Sequence, residues 1–186
     1  MKFLCDFRQL SLSTIFIISR SESGRVGRVD LAALCRQVCE SYQRVLPSGI
    51  ELGLEAPDDP VLVHLDPQGL EHALLNLVIN ARQAMAGDGE IRIRLTRTGG
   101  AASLEVADTG AGIAAEVIDE IFKPFFTTKK KGEGTGLGLA AVHRFVVASR
   151  GEIAVASGAG SGTVFTLTFP LLDGLPHEND AEAATA

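Results

Sequence analysis

The sequence predicts a mixed, mostly antiparallel β-sheet with helices packed on one face. Stretches of strict apolar–polar alternation come in pairs joined by Gly-rich turns, the mark of antiparallel hairpins. Three longer stretches instead repeat apolar residues at helical spacing. Strands and helices do not alternate one for one, which argues against a parallel, doubly wound sheet. With 186 residues the chain can enclose one sizeable core.

Residues 1–20 are largely apolar and end at Arg20, as the end of a helix whose partner lies elsewhere would; residues 21–27 form a polar linker. Asp30 is a suitable N-cap for a helix with Leu31, Leu34, Cys35 and Val38 on one side, ending near Pro47. Residues 50–55 and 61–64 read as strands. Asp66 caps the next helix, with Pro67 in its first turn, and residues 86–89 turn the chain after about Met85. Residues 90–97 alternate, with Ile91, Ile93 and Leu95 inward, and residues 103–107 return after Gly99 and Gly100. Residues 113–121 suggest a short helical piece, and 137–150 a full helix. A second hairpin pairs 151–157 with 163–169 around a Gly-rich turn. After Pro170 the pattern fades into an acidic, Ala-rich tail, expected to be disordered.

A net charge of −6 argues against a broad nucleic-acid-binding face, because phosphate backbones select for basic surfaces. Residues 10–18 are too short and too rich in hydroxyls to cross a membrane, and they make a poor signal peptide, so a cytoplasmic location is expected. Three cysteines imply no disulfide framework; Cys35 and Cys39, four apart on a helix, read as small buried hydrophobes.

Four segments can carry chemistry. Asn76 and Asn80 stand one turn apart in an otherwise apolar helix. Their amides need partners, either the backbone or a cation such as Mg²⁺, which prefers oxygen ligands. Asp108, followed by Gly110 and Gly112, ends a strand. This is either a turn or a carboxylate on a pocket floor that can accept from an exocyclic amine such as adenine's. Residues 121–129 carry Phe122, Phe125 and Phe126 just before a Gly-rich loop, as a local core cluster or as the anchor of a lid. Residues 132–140 carry glycine at every second position, Gly132 to Gly138, after Lys129, Lys130 and Lys131 and directly before a helix. Such a run suits a phosphate-binding loop, although it is neither a Walker A loop nor a good dinucleotide fingerprint.

Taken in order, these segments resemble the ATP-binding catalytic domain of bacterial sensor histidine kinases, of the nitrogen-regulation type. Residues 76–80 match that family's N box, 108–112 its first glycine box, 122–126 its F box and 134–139 its second glycine box; 158–163 resemble a further Gly–Thr element. The likeness covers roughly residues 28–170. It implies a two-layer α/β sandwich of the Bergerat type, with about five strands on three helices, flanked by a dimerisation-helix remnant at 1–27 and a tail at 172–186. It also implies ATP and Mg²⁺ as cofactors. Asn80 would ligate Mg²⁺, with Asn76 assisting or touching phosphate, and Asp108 would recognise the adenine amine with help from Thr163. Gly110, Gly112, Gly134, Gly136 and Gly138 would shape the pocket and lid, lined by Ile113, Phe125, Thr128, Thr135, Leu137 and Leu139. Lys129 is the lysine expected to reach phosphate.

The family transfers the γ-phosphate to a histidine on a helical hairpin and relays it to a response regulator receiver domain. None of His64, His72, His143 and His177 has the acceptor's sequence context, so the resemblance implies a histidine protein kinase whose acceptor comes from another segment or chain. Gyrase-like ATPases carry a Glu base where Asn76 stands, which argues for transfer over hydrolysis. A same-fold ATPase and a non-catalytic nucleotide-binding module are the alternatives. Some relatives carry a phosphate-binding lysine where this chain has Gln83; Arg82 or the lysines after Thr128 would substitute for it.

Overall fold

The computed structural model describes residues 25–129 and 134–172. The helix remnant and most of the linker, the tail from Asp173, and Gly132 with its three flanking residues lie outside the described residues. Among the described residues, seven strands and three α-helices follow in the order β1 (Gly27–Asp30), α1 (Leu31–Gln43), β2 (Ile50–Glu55), β3 (Leu62–Leu65), α2 (Pro67–Ala84), β4 (Gly89–Thr98), β5 (Ala101–Asp108), α3 (Gly138–Ala148), β6 (Glu152–Ser157) and β7 (Thr163–Pro170). Five strands form the main sheet in the order β2-β4-β5-β7-β6. Only β2 and β4 are parallel, and the chain between them runs through β3 and α2; the other neighbours are antiparallel. The architecture is the α/β sandwich that the sequence implies.

Alternation in the strands decides which face is covered. Ile91, Ile93 and Leu95 of β4, Leu104 and Val106 of β5, and Phe165, Leu167 and Phe169 of β7 point inward and are buried. They meet Leu31, Cys35 and Val38 of α1, Leu70, Leu74 and Leu77 of α2, and Val142 and Val146 of α3 in one apolar cluster. The opposite face is solvated and carries ion pairs such as Arg94–Glu55 at 2.8 Å and Arg92–Glu90 at 2.5 Å. Cys35 and Cys39 are buried free thiols, and burial pushes them up to about 12 and about 11.

Two features differ from the sequence reading. Gly27–Asp30 is a strand, not linker and helix start, because β3 lies antiparallel beside it and satisfies its backbone. The same Asp30 still caps α1, its Oδ1 accepting from Ala32 N and from Val61 N, each at 3.0 Å. Residues 113–121 hold only a 3₁₀ turn, Ala115–Val117, rather than a helix. The helix ends also fall slightly short of expectation: α1 stops at Gln43 and α3 spans Gly138–Ala148.

Candidate active site

The register of the sheet assembles one end of the site. Ser157 pairs with Thr163, Thr163 with Asp108, and Asp108 with Ile91, so Ser157, Thr163 and Asp108 stand in a row on the inner face at one end of their strands. Asp108 Oδ1 accepts from Gly110 N at 2.8 Å. Burial raises the carboxyl's pKa above the usual range, while the amides of Gly110 and Thr163 pull it back down. Ser157 Oγ accepts from Ile113 N at 2.8 Å, donates to Gly162 O at 2.8 Å and lies 3.1 Å from Thr163 Oγ1. It thereby fastens the loop after Asp108 to the last hairpin.

This junction requires glycine at one point on each side. Gly112 has φ +72° and a Cβ there would lie 2.0 Å from Gly158 O; Gly162 has φ +76° and its Cβ would lie 2.0 Å from Asp108 O. Gly160 N donates to Ala111 O at 2.7 Å, so the two Gly-rich turns close on each other.

Helix α2 supplies the other end. Ala111 N donates to Ala84 O at 2.9 Å, joining the Asp108 loop to the C-terminal end of α2. Asn76, Asn80 and Gln83 occupy one side of that helix, all half-buried. Lys129 reaches them from the loop after the phenylalanines, its Nζ donating to Asn80 Oδ1 at 3.1 Å and to Gln83 Oε1. Burial lowers the pKa of this ammonium. Arg82 is exposed.

Gly138 opens α3 against Asn76: a Cβ on it would lie 3.2 Å from Asn76 Oδ1. No side chain caps α3, so the N–H groups of its first residues have no side-chain partner and can receive an anion. Asn76 and Asn80 offer amide oxygens, a donor set that fits Mg²⁺ completed by water and phosphate. No cluster of three His, Cys, Asp or Glu able to hold a metal occurs among the described residues.

The phenylalanines divide. Phe122 packs on His143 and Phe165, with ring centroids 5.5 and 6.4 Å away, and Phe126 packs against the core. Phe125 is 76% exposed, with φ +67°. Its N–H donates to Gly136 O at 2.9 Å, and a Cβ on Gly136 would lie 2.4 Å from Phe125's carbonyl carbon. Thr128 and Thr135 are exposed, while Ile113, Leu137 and Leu139 are half-buried. Sequence reading missed Ser157, whose only signal is a hydroxyl at an inward strand position, and it left the role of Gln83 open.

The family described as histidine kinase-, DNA gyrase B-, and HSP90-like ATPase matches residues 65–173. The chain belongs to this family. Within the family it is an ATP-binding catalytic domain of the histidine kinase type. It is 45% identical over 122 residues to sensor histidine kinase ZraS of Escherichia coli (strain K12), covering 66% of this chain and 26% of ZraS. It is 34% identical over 186 residues to sensor kinase CckA of Brucella abortus (strain 2308), covering 91% of this chain and 20% of CckA. The chain thus spans about a quarter or less of these relatives' length. Among solved structures it is similar to the mycobacterial sensor histidine kinase MprB, with a TM-score of 0.69, 28% identity, and coverage of 79% of this chain and 98% of that one. Full-length ShkA in complex with AMPPNP gives a TM-score of 0.70 at 30% identity, covering 81% of this chain and 32% of that one. No helix among the described residues is long and apolar enough to cross a membrane.

Proposed function

We propose that this domain binds Mg²⁺-ATP between the Asp108 row and α2 and passes the γ-phosphate to a histidine carried by another segment or chain. A response regulator's receiver domain then takes the phosphoryl group, and the reaction runs in the cytoplasm. One observation carries the reading: the loop that follows the half-buried Asp108 is bonded to the end of α2, the same helix whose Asn80 amide accepts from the Lys129 ammonium. The complex of AMPPNP with the similar ShkA supports the choice of ligand.

Asp108 accepts from the adenine amine, and Thr163 and the Asp108 loop hold the ring's edge. Asn80, with Asn76, would hold Mg²⁺, which neutralises phosphate charge when bound. Lys129 and the first-turn amides of α3 orient the triphosphate, and Gly134, Gly136 and Gly138 let the loop backbone approach it. Catalysis here is positioning and charge stabilisation. Asn76 cannot take a proton, so the site lacks there the base that would activate water, which favours transfer over hydrolysis.

The test combines binding with transfer. Asp108→Asn and Asn80→Asp should each weaken ATP binding by about tenfold or more, the first from loss of a charge-assisted contact and the second from an added negative charge beside the phosphates. With labelled ATP and an added histidine-bearing hairpin, acid-labile phosphate should form on the hairpin. Unchanged affinity in both variants would overturn the site, and steady release of phosphate without transfer would favour the ATPase reading.

A further inference from the structure

We propose that Gln83 is a positioning residue that holds the Lys129 ammonium at the phosphate end of the site, so that the loop's charge is delivered to the triphosphate by a tether on α2. The inference rests on the ATP reading above.

Lys129 is fixed at both of its ends. At the backbone, its N–H donates to Thr127 Oγ1 at 3.2 Å, which sets the turn. At the tip, Nζ donates to Asn80 Oδ1 at 3.1 Å and to Gln83 Oε1. Asn80 and Gln83 are three apart and therefore neighbours on the last turns of α2. Between tip and backbone the stem lies under the returning glycine loop: a Cβ on Gly134 would sit 3.2 Å from Lys129 Cδ and 2.5 Å from Thr127 Oγ1.

The chemistry of the tether matters. Both acceptors are neutral amides, so they orient the ammonium without cancelling its charge, as a carboxylate would. An ammonium has three N–H donors; the amides take two, and the third suits an anionic oxygen. Asn80 Oδ1 is also the atom assigned to Mg²⁺, and a bound cation would take it from the ammonium, leaving Gln83 as the lysine's remaining tether. Gln83 has no such duty, and its contact with Lys129 spans 46 residues of sequence, joining the loop to the helix. Arg82, the adjacent cation, is exposed.

Loss of this tether should cost affinity in proportion to phosphate charge. The experiment is calorimetric titration of the full chain with ATP, ADP and AMP in Mg²⁺ buffer, for the parent, Gln83→Ala, Gln83→Met, Lys129→Met and Gln83→Ala/Lys129→Met. Thermal melts check that each variant is folded, and the isosteric Met variant serves where Ala is unstable. Removing a hydrogen bond to a charged group predicts ATP binding weaker by about tenfold in the Gln83 variants. AMP affinity should change by less than about twofold, and the double variant should be no weaker for ATP than Lys129→Met alone, because the two residues act as one unit. Equal weakening of ATP and AMP, or additive losses in the double variant, would overturn the proposal. Asp108→Asn separates the two readings. If it weakens all three nucleotides while the Gln83 variants weaken none, the Gln83 inference alone fails; if it weakens none, the ATP reading fails and the inference with it.

Discussion

Asp108 illustrates how one residue is given its task by position. In sequence it could equally be a turn residue, since Asp followed two places on by Gly is ordinary turn chemistry. The sheet register puts it beside Thr163 on the inner face, and burial then raises its pKa. Nucleotide binding through the ionised carboxylate should therefore be lost as pH falls through a value above the ordinary aspartate range. Titrating adenosine affinity against pH checks this: the acid limb should appear in the parent and vanish in Asp108→Asn. Because the folded pKa is raised, ionised Asp108 carries a stability cost above that pKa, absent below the unfolded value. Asp108→Asn should accordingly bind more weakly at neutral pH without melting earlier. A drop in melting temperature with unchanged affinity would make Asp108 a structural residue. Lys129 and Gln83 show the limit of sequence reading at this scale. They lie 46 positions apart, and no local pattern links a loop lysine to a helix glutamine.

At the scale of elements, caps and turns were legible and pairings were not. Asp30 and Asp66 were recognisable as N-caps because a short oxygen acceptor before an apolar-periodic run has one main use there. They should nonetheless contribute unequally. Asp66 Oδ1 accepts only from Gln68 N in its cap, at 3.1 Å, whereas Asp30 Oδ1 accepts from both Ala32 N and Val61 N. Asp30→Ala should cost about 1–3 kcal/mol and Asp66→Ala about 0.5–1 kcal/mol, read from urea unfolding midpoints. Equal losses would mean that the long-range bond to Val61 contributes nothing. The strand β1 escaped notice because four residues with one strong apolar position, Val29, make too short a pattern. Only the presence of β3 beside it decides its conformation. The F box was ambiguous for a similar reason. Apolar content alone does not say that Phe122 turns inward while Phe125 faces solvent over Gly136.

At the scale of the whole molecule, the site borrows from elements spread between Asn76 and Thr163, and a ligand that bridges them must stabilise the fold. Binding to the native state alone contributes about 2.7 kcal/mol when free ligand is one hundred times Kd. Urea midpoints should rise with the logarithm of Mg²⁺-ATP concentration, and the rise should disappear in Asp108→Asn; a midpoint insensitive to ATP would contradict the bridging site. The sequence by itself determined the fold class, the helix caps and the two hairpins, because alternation, helical spacing and glycine placement are local consequences of backbone sterics. The tertiary structure alone decided that Ser157, Thr163 and Asp108 form one row, that β2 runs parallel to β4, and that Lys129 lies against Asn80 and Gln83. Those facts depend on strand register and on a loop folding back onto a helix, and contacts between residues far apart in the chain leave no periodic trace in the sequence.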